Sequence, residues 1–104
     1  MSVFYVYSKE LLNECQNLYP IGNELHILKQ KFWGDCELDN NGHCVIKPKE
    51  YPINNNYYEM NWVITRVRKE HGYNNIIIEI EKHGRKDTIW VLENLKLPLW
   101  VKSI

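Results

Sequence analysis

The cysteines and histidines of this chain are the residues best suited to metal chemistry. Cys36, His43 and Cys44 lie close together in sequence, and His26 precedes them on a run rich in apolar residues. Thiolate and imidazole are zinc ligands, but common zinc sites use CxxC or HxxxH pairs, which this chain lacks. We therefore expect Cys44 in the core and His43 in a solvent-exposed turn. A small zinc-binding module is kept as an alternative.

Covalent and hydrolytic catalysis find little support in the sequence. Cys36 follows Gly34 and is the best placed thiol for a nucleophile, but thiolates need electropositive surroundings. The residues around it include Asp35, Glu37 and Asp39. The stretch "EIEKH" resembles an acid-x-Lys nuclease strand, yet Ile80 stands two residues before Lys82. The glycines are scattered singly, so no phosphate-binding loop is indicated. We expect no enzyme, no catalytic residues and no cofactor.

Aromatic residues favour a binding function. The chain has 7 Tyr, 4 Trp and 2 Phe in 104 residues, more than so small a core needs at its centre. Trp, Tyr and Arg dominate protein interfaces, and loops on rigid scaffolds commonly carry recognition. Tyr51, Tyr57 and Tyr58 lie in or beside a loop rich in Pro and Asn. The predicted aromatic contact residues are Tyr51, Tyr57, Tyr58, Trp33, Trp62 and Trp90, with a protein as the expected partner.

Basic residues between positions 66 and 86 support a competing partner. If neighbouring strands bring them together, they form a stripe that single-stranded nucleic acid could follow, with Trp or Tyr stacking on bases. The basic residues concerned are Arg66, Arg68, Lys69, Lys82, Arg85 and Lys86, and Glu79, Glu81 and Asp87 interrupt them. All of these basic residues except Lys82 are retained as predicted binding residues. A nucleic-acid-binding barrel is the second hypothesis.

Composition places the chain among ordinary globular proteins. Charged residues make up 25% of the 104 residues and the net charge is zero, which argues weakly against a strongly basic nucleic-acid binder. We see no signal-peptide pattern and no apolar run approaching the roughly 18 residues of a membrane span. We therefore expect a cytoplasmic protein without a membrane partner, and a homo-oligomer is allowed. Abundant Asn, Ile, Lys and Tyr suggest AT-rich codons, which fit a phage or mobile-element protein.

A single domain over residues 1–104 must position these side chains, and its first half mixes helix and strand. "VFYVY" at 3–7 is β-prone, and Ser8 is a good N-cap for an amphipathic helix at about 9–19. A strand follows at 23–34. "DNNG" at 39–42 indicates a turn, with "HCVIK" returning as a short strand.

The second half reads as strands separated by short turns. Residues 57–69 form a long strand with Tyr58, Trp62 and Ile64 on one face and Val67 on the other. Residues 76–82 place Ile76, Ile78 and Ile80 on one face. "HGRK" at 83–86 predicts a four-residue hairpin loop, and 87–92 a return strand carrying Ile89 and Val91 inward. A 3₁₀ turn at 93–96 and a last strand starting at Pro98 complete the chain.

This order of elements resembles an SH3-like barrel, and residues 61–98 resemble its Tudor branch. "NWVITRV" is similar to the Trp-led second strand, and "IEIEKHGRKDTIWVLENLKLP" to the following strand, turn, strand and Leu-Pro ending. The resemblance implies an α+β, mostly β fold: a small SH3-like barrel (about 23–103) with one short N-terminal amphipathic helix. Tudor domains that bind methylated side chains have an aromatic cage where this chain has Glu81, Lys82 and His83. We expect a small non-catalytic inhibitor or accessory protein that occludes a protein partner.

Overall fold

The computed structural model of the chain describes residues 7–29, 36–38, 40–42, 44–46 and 51–103, with the backbone alone at 36–38 and 44–46. The elements in chain order are α1 (Lys9–Leu18), β1 (Glu24–Leu28), β2 (Cys36–Leu38), β3 (Cys44–Ile46), β4 (Tyr58–Lys69), β5 (Ile76–Lys82), β6 (Arg85–Trp90), a 3₁₀ turn (Glu93–Leu95) and β7 (Val101–Ser103). The β-prone run before Tyr7, the predicted strand between 30 and 34, Trp33 and His43 lie outside the described residues.

An open antiparallel sheet of five strands forms the body of the protein. Its order is β6-β5-β4-β1-β7, and β2 and β3 form a separate antiparallel hairpin around the predicted turn at 39–42. The expectation of a mostly β, α+β fold with one helix is confirmed. Among the described strands β6 and β7 do not pair with each other, so the sheet is not closed by backbone hydrogen bonds.

The predicted helix is confirmed, and it packs against β4, the central strand of the sheet. The Ser8 side chain accepts a hydrogen bond from the Leu11 N–H at 3.1 Å, which satisfies a backbone donor of the first turn. Cys15 is fully buried on the face turned to the core. Gln16 Nε2 donates to the Val67 carbonyl at 3.0 Å, which satisfies a β4 backbone group beyond the reach of β1. Within the described residues no helix has the length and apolar character to cross a bilayer.

The long strand β4 serves two different partners. Its first half pairs with β1, from Tyr58 opposite Leu28 to Val63 opposite Glu24. Its second half pairs with β5, from Val63 opposite Glu81 to Lys69 opposite Ile76. The two pairings overlap only around Val63, so β1 and β5 are offset along β4 and the sheet is divided into two half-sheets. The strand therefore has to hold one core-facing row of side chains while it changes partner.

Two β-bulges allow β4 to change partner while it keeps its side chains on the core. Because of these bulges, the predicted faces of β4 were partly wrong. Leu25 pairs with Trp62 but Ile27 pairs with Glu59, so β4 carries an extra residue at a point where Asn61 has a φ of 65°. A second register shift follows between Ile64 and Arg66. Strict alternation along β4 predicted that Val67 and Ile64 would lie on opposite faces of the strand. The second bulge inserts one residue, so Val67 is buried in the same core.

The isoleucine face of β5 forms the centre of the core, as the alternation predicted. Ile76, Ile78 and Ile80 are buried with Ile89 of β6 and with Val91, which directly follows β6. Each fully buried side chain of this size contributes about 1.5–3 kcal/mol through removal from water. Ile77 is also fully buried, although it faces the opposite side of β5, away from this core. Its cross-strand partners Arg68 and Trp90 share that side.

The hairpin between β5 and β6 is tighter than predicted. Lys82 pairs directly with Arg85, so His83 and Gly84 alone form the turn. Both have positive φ, 49° and 79°, the conformation that suits two-residue hairpins because it matches the twist of the strands. The four-residue loop expected at 83–86 is wrong because Arg85 and Lys86 belong to β6. The last strand starts at Val101, three residues after Pro98.

The bulge at Asn61 leads to a testable prediction about the stability of the fold. The Asn61 side chain is exposed and its backbone has a left-handed conformation. Its replacement should therefore change stability through the backbone alone. We expect Asn61→Val to lower the free energy of unfolding by about 1–2 kcal/mol, because β-branched residues resist this conformation. Asn61→Gly should be neutral or stabilising. Urea unfolding measures both, and equal destabilisation by the two substitutions would contradict the bulge.

Candidate functional site

The loop before β4 presents a pair of stacked tyrosines. The rings of Tyr51 and Tyr57 lie 5.0 Å apart at an interplanar angle of 29°. Tyr57 is 41% exposed, and Ile53 between them is 51% exposed. We call Tyr51, Ile53 and Tyr57 the loop patch. It combines an aromatic pair with an apolar side chain on one short segment, the composition that protein interfaces favour.

Backbone and side-chain hydrogen bonds hold the loop patch in shape. The Asn54 carbonyl accepts from the N–H groups of Tyr57 and Tyr58 at 3.2 and 2.9 Å. The Asn54 side chain accepts from the Asn56 N–H at 2.9 Å, an Asx turn. Lys29 N–H donates to the Tyr57 carbonyl at 2.9 Å, and Lys29 Nζ donates to the Asn55 carbonyl. The asparagines of this loop therefore build an ordered turn.

Two of the predicted contact residues are buried, so the prediction that they form part of a binding surface is wrong. Tyr58 is 1% exposed because it opens β4 and pairs with Leu28 of β1. Trp62 is buried in the core because it lies opposite Leu25 on the inner face. Neither side chain offers surface in this structure. Trp33 lies outside the described residues, so its prediction has no structural counterpart here.

Trp90 lies in a second aromatic group, on the outer face of the sheet. The ring of Tyr73, in the turn after β4, is 6.3 Å from the Trp90 ring and tilted by 41°. Tyr73 is 62% exposed. The buried Ile77 lies on this face and pairs across the strands with Trp90. This group follows β4, whereas the loop patch precedes it, and the strand between them has 12 residues. The two groups therefore lie at opposite ends of β4.

Carboxylates divide the predicted basic stripe on the same outer face. Glu79 Oε2 accepts from Arg68 Nε at 2.8 Å and lies 3.9 Å from Arg66 Nε. Lys86 lies directly opposite Glu81 across the β5–β6 pair. Lys69 Nζ is 5.3 Å from the centroid of the Tyr7 ring. A groove of about 480 Å³ on this face is lined by residues of both signs, among them Arg66, Glu79, Lys86 and Asp87.

Arg85 belongs to a separate cluster with Glu59 and Trp62. Its Nη1 donates to Glu59 Oε2 at 2.8 Å, and its guanidinium lies 5.0 Å from the Trp62 ring centroid. Glu59 Oε1 accepts from Trp62 Nε1 at 2.8 Å. The hydrogen bond from Arg85, aided by the one from Trp62, holds the pKa of the Glu59 carboxyl below its usual range. The cluster fastens the β5–β6 hairpin to the first half of β4.

Metal and thiol chemistry find no assembled site in the described part of the chain. No three His, Cys, Asp or Glu residues there are placed to hold a metal ion. His43 and the side chains of Cys36 and Cys44 lie outside that part, so the zinc alternative stays a prediction. His26 Nδ1 is buried and lacks a hydrogen-bond partner. Burial raises the pKa of the Cys15 thiol to about 11, which makes it a poor nucleophile.

Sequence reasoning missed the exposed aliphatic residues. Ile53 stands between Pro52 and Asn54, and Ile21, 73% exposed, stands between Pro20 and Gly22. An apolar residue flanked by turn-forming residues cannot join a strand or helix face, because its neighbours fix it in a surface turn. This flanking pattern was available in the sequence and could have found both residues.

The ion pair of Glu59 predicts a pH-dependent contribution to stability. The pKa of Glu59 is lower in the folded than in the unfolded chain, so ionised Glu59 stabilises the fold above its unfolded pKa. This stabilisation is lost as the pH falls through the folded-state pKa. We expect Glu59→Gln to cost about 1 kcal/mol near pH 7, since the amide oxygen still accepts from Trp62 but the charge is gone.

Thermal and urea unfolding between pH 7 and pH 3 would measure the difference between Glu59→Gln and the wild type. The difference should shrink toward zero at the acid end of this range. Glu14→Gln, at an exposed position of α1, is the matched control and should show little difference at either pH. If Glu59→Gln lowered the stability by the same amount at every pH in this range, the charge of Glu59 would contribute nothing to the stability of the fold.

Comparison with known proteins yields no relative. No protein-family model matches the chain, and neither curated proteins nor solved structures give a significant match. What the chain does has to be inferred from its own surface.

Proposed function

We propose that this protein is a small non-catalytic binding module that occludes a protein partner through the loop patch. The observation that carries the proposal is the stacked pair of Tyr51 and Tyr57 beside the half-exposed Ile53. Large, rigid aromatic side chains supply contact area at a low entropic cost. An inhibitor or accessory protein of the phage or mobile-element type, acting in the cytoplasm, fits this description best.

The order within the loop supports a recognition role. Asn54 fixes the turn through hydrogen bonds to three backbone N–H groups, and Lys29 ties the loop to the end of β1. A partner that binds a loop already held in one conformation avoids most of the free energy needed to order it. Ile53 is half exposed to solvent, so its side chain contributes little to the stability of the fold. This exposure fits a side chain that contacts a partner.

We also propose that the sheet is a barrel of the SH3-like type. The order β6-β5-β4-β1-β7, the long β4 shared between two half-sheets and the 3₁₀ turn before β7 support this assignment. The contact between Arg85 and Glu59 brings the start of β6 back over the first half of β4, as expected of a strongly coiled sheet. In this arrangement the loop patch lies on the long connection between β1 and β4.

The charge distribution counts against nucleic acid as the main partner. Arg66, Arg68 and Arg85 each lie beside a carboxylate, which reduces the charge that they can offer to phosphates. Binding to phosphates depends on such charge and weakens steeply with salt. A nucleic-acid-binding barrel is therefore the second candidate, and the experiment below includes it.

Substitution in the loop patch tests the proposal. The immobilised protein would first be used to capture a partner from its native host, and the purified partner would then be titrated by calorimetry. We expect Tyr57→Ala to weaken binding by about 2 kcal/mol, roughly thirtyfold in Kd, as for an interface hot spot. Tyr73→Ala is the matched control, because it removes an exposed tyrosine at the far end of β4 and should leave Kd nearly unchanged.

Two results would argue against the loop patch. The first is a partner whose affinity is the same for wild type and Tyr57→Ala. The second is tight binding of a labelled single strand at low salt, with log K falling steeply against log salt, which would support the nucleic-acid candidate instead. Unfolding curves of both variants, matching those of the wild type, would show that the substitutions change the surface and not the fold.

A further inference from the structure

Strand β6 forms an outer edge of the sheet with a defined set of outward-facing backbone groups. Among the described strands it pairs with β5 alone. The Val91 N–H donates to the Ile76 carbonyl at 3.0 Å, which makes Ile76 and Val91 a hydrogen-bonded pair. Because such pairs alternate along an antiparallel ladder, Arg85, Asp87 and Ile89 also bond to β5. The backbone groups of Lys86, Thr88 and Trp90 therefore point away from the sheet.

A side chain of the same strand covers the middle of this edge. Asp87 Oδ1 accepts a hydrogen bond from the Thr88 N–H at 2.8 Å. That N–H is the central outward donor of β6, so another strand can use it only after the carboxylate has moved. Charged residues on edge strands commonly prevent strand addition. Arg85, Lys86 and Asp87 are three consecutive charged residues on this edge.

The sequence of β6 is complementary to a second copy of itself in one register. Residues directly opposite each other across a new antiparallel pair must both have outward backbone groups. A twofold axis at Lys86 would place two ammonium groups opposite each other. A twofold axis at Trp90 would place Lys86 opposite Asn94 of the second copy. Asn94 has a φ of 59°, so its backbone is not extended and cannot pair in this way. An axis at Thr88 places Lys86 opposite Trp90 of the second copy, a cation–π pair, on both sides of the axis.

We propose that the β6 edge is a pairing surface for a second copy of this chain, with its twofold axis at Thr88, and that Asp87 keeps this edge closed. In the pair each Thr88 N–H donates to the Thr88 carbonyl of the second copy. Each Asp87 carboxylate then loses its bond to Thr88 and lies opposite Ile89 of the second copy, an unfavourable neighbour for a charge. The wild type therefore associates weakly, and removing the Asp87 carboxylate strengthens the association.

Sedimentation equilibrium of the full chain under reducing conditions tests the proposal. We expect Asp87→Ala, which removes both the acceptor and the charge, to lower the Kd for dimer formation at least tenfold relative to the wild type. Adding Thr88→Pro should return the protein to the monomer, since it removes only an N–H that β5 does not use. Thr88→Ala in the same background retains the N–H and should stay dimeric. A Kd for Asp87→Ala equal to that of the wild type would overturn the proposal, and so would a dimer that persists with Thr88→Pro.

Disulfide trapping tests the register independently of any effect of proline on folding. In the Asp87→Ala background, Thr88→Cys should cross-link readily on mild oxidation. The facing Cα atoms of a hydrogen-bonded pair lie about 5.5 Å apart, within the span of a disulfide. Lys86→Cys is the control, because its two copies would lie roughly 13 Å apart along the strands. Cross-linking through the native cysteines would be equal in both variants, so equal trapping of the two contradicts the twofold axis at Thr88.

Discussion

The structure depends on one strand keeping a single row of side chains on the core while it changes hydrogen-bonding partner. β4 pairs with β1 in its first half and with β5 in its second. A regular strand would turn Val67 to the outer face, because successive side chains alternate. The extra residue after Ile64 restores Val67 to the core, and Asn61 accepts a left-handed conformation at the other bulge. The offset of β1 and β5 and the shared core position of Trp62, Ile64 and Val67 depend on this bulged strand.

The strand registers determine where the charges lie. The register of β4, β5 and β6 places Arg85 beside Trp62 and within hydrogen-bonding distance of Glu59. On the outer face Glu79 lies between Arg66 and Arg68. Arg66, Arg68 and Arg85 are thus distributed among local ion pairs. Among the described residues, exposed aromatic and aliphatic side chains such as Ile53, Tyr57 and Tyr73 lie in the loops.

The proposed surfaces differ in their physical character. The loop patch offers side chains on a turn held by Asn54 and Lys29, so recognition there depends on shape and apolar contact. The β6 edge offers backbone groups, so recognition there depends on register and on the removal of Asp87 from Thr88.

Local sequence patterns determined the elements of this protein. Ser8 and Pro20 bound the helix, the alternation at Ile76, Ile78 and Ile80 identifies a core strand, and the asparagines and glycines mark the turns, because each depends on interactions between residues close in sequence. Only the tertiary structure decided the faces of β4, the burial of Tyr58 and Trp62, and the pairing of Glu59 and Glu79 with arginines. These features arise where distant strands meet, and a bulge of one residue reverses every side chain beyond it, which no local pattern records.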